Sequence, residues 1–408
     1  MERQPVMKNL KRIGIALMIV PILFLSGCWD RVEIEDRGFV TGVGLDPVEN
    51  VPPDEQFKLI QQIVVPGGVS TGASGSSGSG SKTKPFENMV SSGETVMENI
   101  HNVAANTSRS PFYEHLKVIL ISQEVAQSMA FENTIDYFIR SPEMRRGIKI
   151  LITKDPAQDI LNLNPPSSDI PGLFINSITE NSYKNMQMLQ PSRISDINED
   201  LYNKQSFIIQ TIFLQGSDLK VEGGAVFKGI SNKLIGFLTG QEVAGLKFIR
   251  GKASGGVIRP PFNNKHVSFK IERAKSQMSA SVKSKRDITM NLTIGTEGAI
   301  YEIGTSVNLL SKTVLNQIEK AIGESIKKKV KHTITRLQDD LVADILGVND
   351  YLKVHNWKLW NKIQGDWENG DKLFSKVKFN INVNVSLRNI GTENHTDVEE
   401  QYKAGGQK

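Results

Sequence analysis

The feature that most limits what this chain can become is a short apolar run that stops at its single cysteine. Met1 to Arg12 carries Arg3, Lys8, Lys11 and Arg12 against one acid, Glu2, and Ile13 to Leu25 reads IGIALMIVPILFL. A basic head, a short apolar body and a small-residue exit make a secretory leader. The run is shorter than the roughly 20 residues a spanning helix needs, and Pro21 within it is tolerated in an export signal but resisted in a buried helix. The exit, Leu25-Ser26-Gly27-Cys28, has the form of a lipobox. Leu25, Ser26 and Gly27 are read as the signal-peptidase recognition residues, and Cys28 supplies the thiol to which a diacylglycerol is attached. Residues 1–27 are expected to be removed, leaving Cys28 as the N terminus with a diacylglycerol and an N-acyl chain. Two acyl chains give lasting attachment where one does not. The rest must then fold in water without covalent staples, because a lone cysteine permits no internal disulfide and no structural zinc site.

Composition agrees. Apolar residues are 39% and aromatics 7%, ordinary for a globular chain, and 408 residues suffice for two or three domains. No second apolar run reaches the roughly 18 residues of a membrane span. The formal charge of +5 falls to about +2 once the leader, with four cations and one anion, is set aside. That mild surplus suits an anionic membrane surface. It does not indicate nucleic acid, for which no RNP, zinc-finger or basic-helix pattern is present.

The pattern along the chain predicts an α+β, mixed α/β architecture of three successive domains, each a β-sheet with packed helices. Residues 28–203 form the first. Strands are expected at Phe39–Leu45, Phe57–Val65, within Phe112–Ser122 and at Ile148–Thr153, with helices at Val96–Ala104 and Val125–Phe138. Residues 67–82, GGVSTGASGSSGSGSK, are a Gly/Ser loop that cannot bury enough apolar area to offset its ordering. Residues 204–262 read as a small middle domain of antiparallel strands with one helix, Thr239–Phe248, capped by Thr239 with Glu242 at the matching box position. Residues 263–391 form the last domain, a long helix on an antiparallel sheet. Its apolar stripe runs from Val314 through Ile345, with Gly347 as its stop. A final strand, Val377–Leu387, alternates strictly between apolar and polar residues. Residues 392–408 are a polar tail.

Sequence motifs that resemble chemistry do not survive inspection. Gly42-x-Gly44 lacks the third glycine and the following helix of a dinucleotide site; close backbone packing in a strand explains it better. Gly75, Gly80, Lys82 and Thr83 miss the phosphate-loop pattern, with Ser81 where the lysine belongs. His115 has no partner at ligand or catalytic spacing. Asp339-Asp340 and Glu399-Glu400 are merely adjacent, not the opposed carboxylates of a glycosidase. No catalytic residue, metal ligand or cofactor other than the acyl groups on Cys28 is expected.

Several stretches together resemble a known family. WDRVEIEDRGFVTGVGLD directly after Cys28, FYEHLKVILIS at Phe112–Ser122, the stretch Ile139–Arg146, and Trp357, Trp367 and FSKVKFNINVNVSLRNIG at Phe374–Gly391 are similar to the Ger(x)C family of spore germination lipoproteins. The likeness spans nearly all of the chain beyond Cys28; the Gly/Ser loop is longer and simpler than the family pattern. The resemblance implies a non-catalytic C subunit of a nutrient germinant receptor. It also implies lipid anchoring to the outer face of the spore inner membrane, integral-membrane A and B subunits as partners, and a fold of three α/β domains. Trp29, Asp30, Arg31, Trp357, Trp360 and Trp367 are the candidate partner contacts. The alternatives are a solute-binding lipoprotein of a transporter, which needs two βαβ lobes about a hinge, and an envelope hydrolase.

Overall fold

A computed structural model describes residues 37–65, 84–128, 131–165, 167–304 and 307–389. The leader, Leu25 to Arg31 with Cys28, the 67–82 loop and the 392–408 tail lie outside the described residues.

The first sheet is built on β1 (Arg37–Pro47), β2 (Phe57–Val64) and β3 (Phe86–Gly93), followed by α1 (Val96–Ala104), β4 (Ser110–Phe112), β5 (Val118–Ser122), α2 (Gln123–Ser128) and α3 (Phe131–Arg140). It continues through β6 (Lys149–Thr153), α4 (Ala157–Leu161), α5 (Pro171–Thr179), β7 (Ser192–Arg193), α6 (Ile194–Tyr202), β8 (Phe207–Gln215), β9 (Asp218–Lys228) and β10 (Lys233–Leu238). The ten strands run β10-β9-β8-β6-β5-β1-β2-β3, with β4 beside β1 and β7 beside β6. The centre, β1-β5-β6-β8, is parallel and both flanks are antiparallel. Every residue of β5 and β6 is buried, which is why their sequences, VILIS and KILIT, are apolar runs without alternation. Side chains from α1, α2, α3 and α6 pack on one face and from α4 and α5 on the other. Gly42 and Gly44 let α4 lie against β1: an added Cβ at either would stand 3.0 Å from Leu161 Cδ2 or Ala157 Cβ.

The strands expected to make a separate middle sheet extend the first one instead. β8 pairs parallel with β6, and β9 and β10 follow as an antiparallel meander. The link α4-α5-α6 carries the chain across one full crossover, the length a parallel neighbour requires. Phe207 then stacks on Phe227 at 4.9 Å, and Phe131 closes the cluster at 4.7 Å from Phe227. These contacts with α3 tie the meander to the first core.

The second unit begins with α7 (Gly240–Ile249), then β11 (Val257–Ile258), β12 (Pro261–Phe262), β13 (Lys265–Ser284) and β14 (Asp287–Ile303). It is completed by α8 (Lys312–Thr335), α9 (Val348–His355), α10 (Trp357–Ile363) and β15 (Lys378–Asn389). The strand order is β11-β13-β14-β15, with β12 paired to β13. This sheet is not wholly antiparallel. β13 and β14 form a long antiparallel hairpin, but β15 runs parallel to β14 because α8, α9 and α10 return the chain to the same end first. Ile318, Ile322, Ile326, Val330 and Ile334 of α8 share one core with Phe269, Met290, Leu292 and Ile294. The long helix also stops sooner than its apolar stripe predicts. Arg336–Leu341 form a π-helical turn, Val342 takes the left-handed conformation at φ 48°, and Gly347, at φ 88°, opens α9 rather than closing α8.

α7 bridges the two sheets, and its capping box forms as the sequence indicates. The Thr239 hydroxyl accepts from the Glu242 N–H at 3.4 Å, and the Glu242 carboxylate accepts from the Thr239 N–H at 2.7 Å. Thr239→Ala should cost about 1 kcal/mol in urea-denaturation stability and Thr239→Ser close to nothing; equal loss in both variants would show that the cap contributes nothing.

Candidate functional site at the junction of the two sheets

The least ordinary chemistry lies where the end of β9 meets the segment between α8 and β15. Lys228, the last residue of β9, and Glu368 are an ion pair at 3.3 Å whose side chains are 14% and 12% exposed. Each has further partners. The Lys228 ammonium donates to the carbonyls of Val342 and Glu368. The Glu368 carboxylate accepts from the Ser206 hydroxyl at 2.6 Å and the Asp344 N–H at 2.6 Å, while Ser206 Oγ accepts from the Gly229 N–H at 3.1 Å. Burial lowers the pKa of Lys228 and the Glu368 charge pulls it back.

Asp344 continues the network. It is buried, and its carboxylate accepts from the N–H groups of Leu346, Val348 and Asn349 and from the indole Nε1–H of Trp367 at 2.8 Å. Two of those N–H groups are unpaired donors of the first turn of α9, so Asp344 does the capping that Gly347 cannot. Burial raises its pKa to about 6 against the pull of these donors. Val342, two residues earlier, is a β-branched residue at positive φ, a conformation that costs on the order of 1–3 kcal/mol.

Beside this network opens a cleft of about 440 Å³, lined among others by Asp200, Arg250, Lys252, Ser276 and Asp350. The Arg250 guanidinium is held along the Ile345 carbonyl, at 3.0 Å from Nε and 2.6 Å from Nη2. Burial raises the pKa of Asp200 to about 6, opposed by Arg250 and reinforced by Glu199, Asp350 and Asp196. The arrangement holds two halves in one relation; it does not resemble a catalytic centre. Among the described residues no three His, Cys, Asp or Glu side chains are grouped to hold a metal.

Of the residues expected to meet partners, Leu25, Ser26, Gly27, Cys28, Trp29, Asp30 and Arg31 lie outside the described residues. The three later tryptophans separate. Trp360 and Trp367 are 6% and 3% exposed and pack edge to face at 5.6 Å, whereas Trp357 is 58% exposed and stands near Val354, 76% exposed. Sequence reading missed Lys228, Glu368, Asp344, Arg250 and Asp200. Only Asp344 left a trace, as a lone acid inside the apolar run Leu341–Leu346.

Two family models together match most of the chain. One described as the spore germination protein N-terminal domain matches residues 30–214, and one described as spore germination B3/GerAC like, C-terminal, matches residues 222–391. Relatives in Bacillus subtilis (strain 168) agree. Spore germination protein YndF is 28% identical, covering 94% of this chain and 98% of the relative. Spore germination protein B3 is 27% identical over 92% and 97%, and spore germination protein A3 is 29% identical over 94% and 99%. The crystal structure of the GerBC protein has the same fold, with a TM-score of 0.59 and 22% identity over 88% of this chain and all of that one. The chain belongs to the Ger(x)C family of spore germination proteins. The seam between the two models falls between β8 and β9, inside the first sheet, and not at a break in the fold.

A carboxyl whose folded pKa lies above its ordinary 3.8 supports the fold below that value and loses its contribution as pH rises through about 6. Asp200→Asn should therefore match the parent near pH 4 and exceed it at pH 7 by roughly 1–2 kcal/mol, part of the shift being discounted for exposure. Urea midpoints at the two pH values measure this; an equal difference at both would mean that Asp200 does not titrate there.

Proposed function

We propose that this chain is the lipid-anchored C subunit of a spore nutrient germinant receptor. In this reading Cys28 carries a diacylglycerol and an N-acyl chain, residues 1–27 are removed, and the protein lies on the outer face of the spore inner membrane. It assembles there with integral-membrane A and B subunits. The observation that carries the reading is position: the family match begins at residue 30, two residues after the lipobox cysteine. The relatives named as germination proteins A3, B3 and KC support a part in the same process. No helix among the described residues is long and apolar enough to cross a membrane. Tethering raises the effective concentration of the folded body for partners in the same bilayer.

The body acts by contact rather than by turnover. The family is one of germination proteins and not an enzyme family. Trp29, Asp30 and Arg31 adjoin the anchor and are proposed to meet the membrane partners there. Trp357, an exposed indole beside Val354 and Lys358, is proposed as a second contact. Trp360 and Trp367 serve it indirectly by fixing α10 against the core.

Cys28→Ala at native expression should move the protein out of the membrane fraction and abolish nutrient-triggered germination; a normal response would remove the anchor from the mechanism. Trp357→Ala should leave thermal stability unchanged and weaken co-purification with detergent-solubilised A and B subunits by at least tenfold, the size expected of a central aromatic contact. Unaltered co-purification would exclude this face.

A further inference from the structure

A second opening lies where α7, α8, β11 and the segment before Met188 meet. It holds about 320 Å³ and is lined by Lys184, Arg259 and Lys329, together with the amides of Asn185, Gln187 and Gln241. That volume falls within the range of about 300–1,000 Å³ typical of small-molecule sites. The three cations come from three separate stretches of chain, so the period of one helix does not account for their meeting.

Among the described residues no acid neutralises them. None lines the opening, and none of the three cations belongs to an ion pair. The acids on adjoining elements are engaged or placed elsewhere. Glu222, next to Gln187, is paired with Lys220 at 2.6 Å. Glu242 of α7 accepts from Thr239 and lies 3.3 Å from His332. Glu319 and Glu324 of α8 line a different crease, against β15, and Glu272 stands exposed on β13 without lining the opening.

A further cation lies beneath. Lys247 is buried, and its ammonium donates to the carbonyls of Ser182, Asn185 and Met188 at 2.8, 3.1 and 3.2 Å. Burial lowers its pKa to about 8 and lowers that of Lys329 too, and no carboxylate opposes either shift. A concave surface lined by one sign of charge focuses its field on whatever enters.

Close backbone packing builds the wall. Gly255 sits at φ 70°. A Cβ there would collide with the Tyr183 carbonyl, and one on Gly256 with the Met186 side chain. The two glycines let the chain entering β11 lie directly on the 183–186 segment, which brings Lys184 and Arg259 to the same opening.

We propose that this opening binds a phosphate monoester, either a soluble phosphate compound or the headgroup of a lipid such as phosphatidic acid. Such a group carries about −1.5 to −2 charge and three strong acceptor oxygens, a better match to three cations than a single carboxylate. Arg259 offers a planar fork of donors, and Lys184 and Lys329 offer compact ammonium groups. Gln241 Oε1 accepts from the Lys329 ammonium, which leaves the Gln241 amide hydrogens for the ligand.

The test is residue-resolved hydrogen exchange and thermal melting of the full chain in maltoside micelles, with inorganic phosphate against sodium chloride of equal ionic strength. Phosphate should raise the melting temperature and slow exchange in segments 184–187 and 256–259 by about tenfold. Lys329→Gln should melt higher than the parent in chloride, because it removes a partly buried cation that has no carboxylate, and should weaken phosphate binding about tenfold. Arg259→Gln should weaken binding as much, and Lys327→Gln, on the same helix but outside the opening, should bind as the parent does. A second arm places the chain in lipid discs containing phosphatidic acid, in phosphate-free buffer. Slowing at the same residues there supports a lipid headgroup as the ligand, and slowing with inorganic phosphate alone supports a soluble compound. No slowing in either arm, or a phosphate effect as large in Lys329→Gln and Arg259→Gln as in the parent, would overturn the proposal.

Discussion

The largely buried pair Lys228–Glu368 is the interaction on which the relation between the two sheets depends. Taking two charges out of water costs several kcal/mol per ion, and their attraction recovers this only when the remaining oxygens and protons are also satisfied. Here they are: Ser206, Asp344 and Lys228 converge on the Glu368 carboxylate, and two carbonyls receive the Lys228 ammonium. Ser206 and Lys228 come from the first sheet, and Glu368 and Asp344 from the second unit. A polar network this fully satisfied tolerates one docking geometry, because any other leaves a charge buried without partners.

The cost is visible next to it. α8 leaves its regular path in a π-helical turn, and Val342 is held at positive φ so that its carbonyl can meet Lys228. π-turns of this kind recur at functional positions, and strain persists only where surrounding contacts over-determine it. Asp344 then caps α9 from outside the usual position and holds Trp367 by its indole. One short segment thus connects the long helix, the tryptophan cluster and the first sheet. A displacement of α8 would alter the contacts of each of them.

How much was legible follows from the range of each cue. The Thr239–Glu242 box was readable because a cap is made by residues three apart. The strand at β15 was readable because its period-two alternation records one face turned to α8. The placement of β8 to β10 was not, since an alternating strand carries no record of which edge it joins. Nor was the end of α8: Leu337, Leu341 and Ile345 continue the stripe and are buried, but a stripe reports which side is inward, not whether the backbone hydrogen bonds remain α-helical. Trp357, Trp360 and Trp367 looked alike in sequence, and only packing divided them into one exposed and two buried rings.

From sequence alone came the expectation of a leader that stops before Cys28, the impossibility of an internal disulfide, the mixed α/β class and the family likeness, because each rests on residue identity or local period. Tertiary structure alone decided the single ten-stranded sheet, the parallel last strand, the charged hub at Lys228 and Glu368, and the opening lined by Lys184, Arg259 and Lys329. These join residues far apart in the chain or depend on which edge is left unpaired. No local pattern encodes such pairings, since they are chosen by what the remainder of the chain leaves exposed.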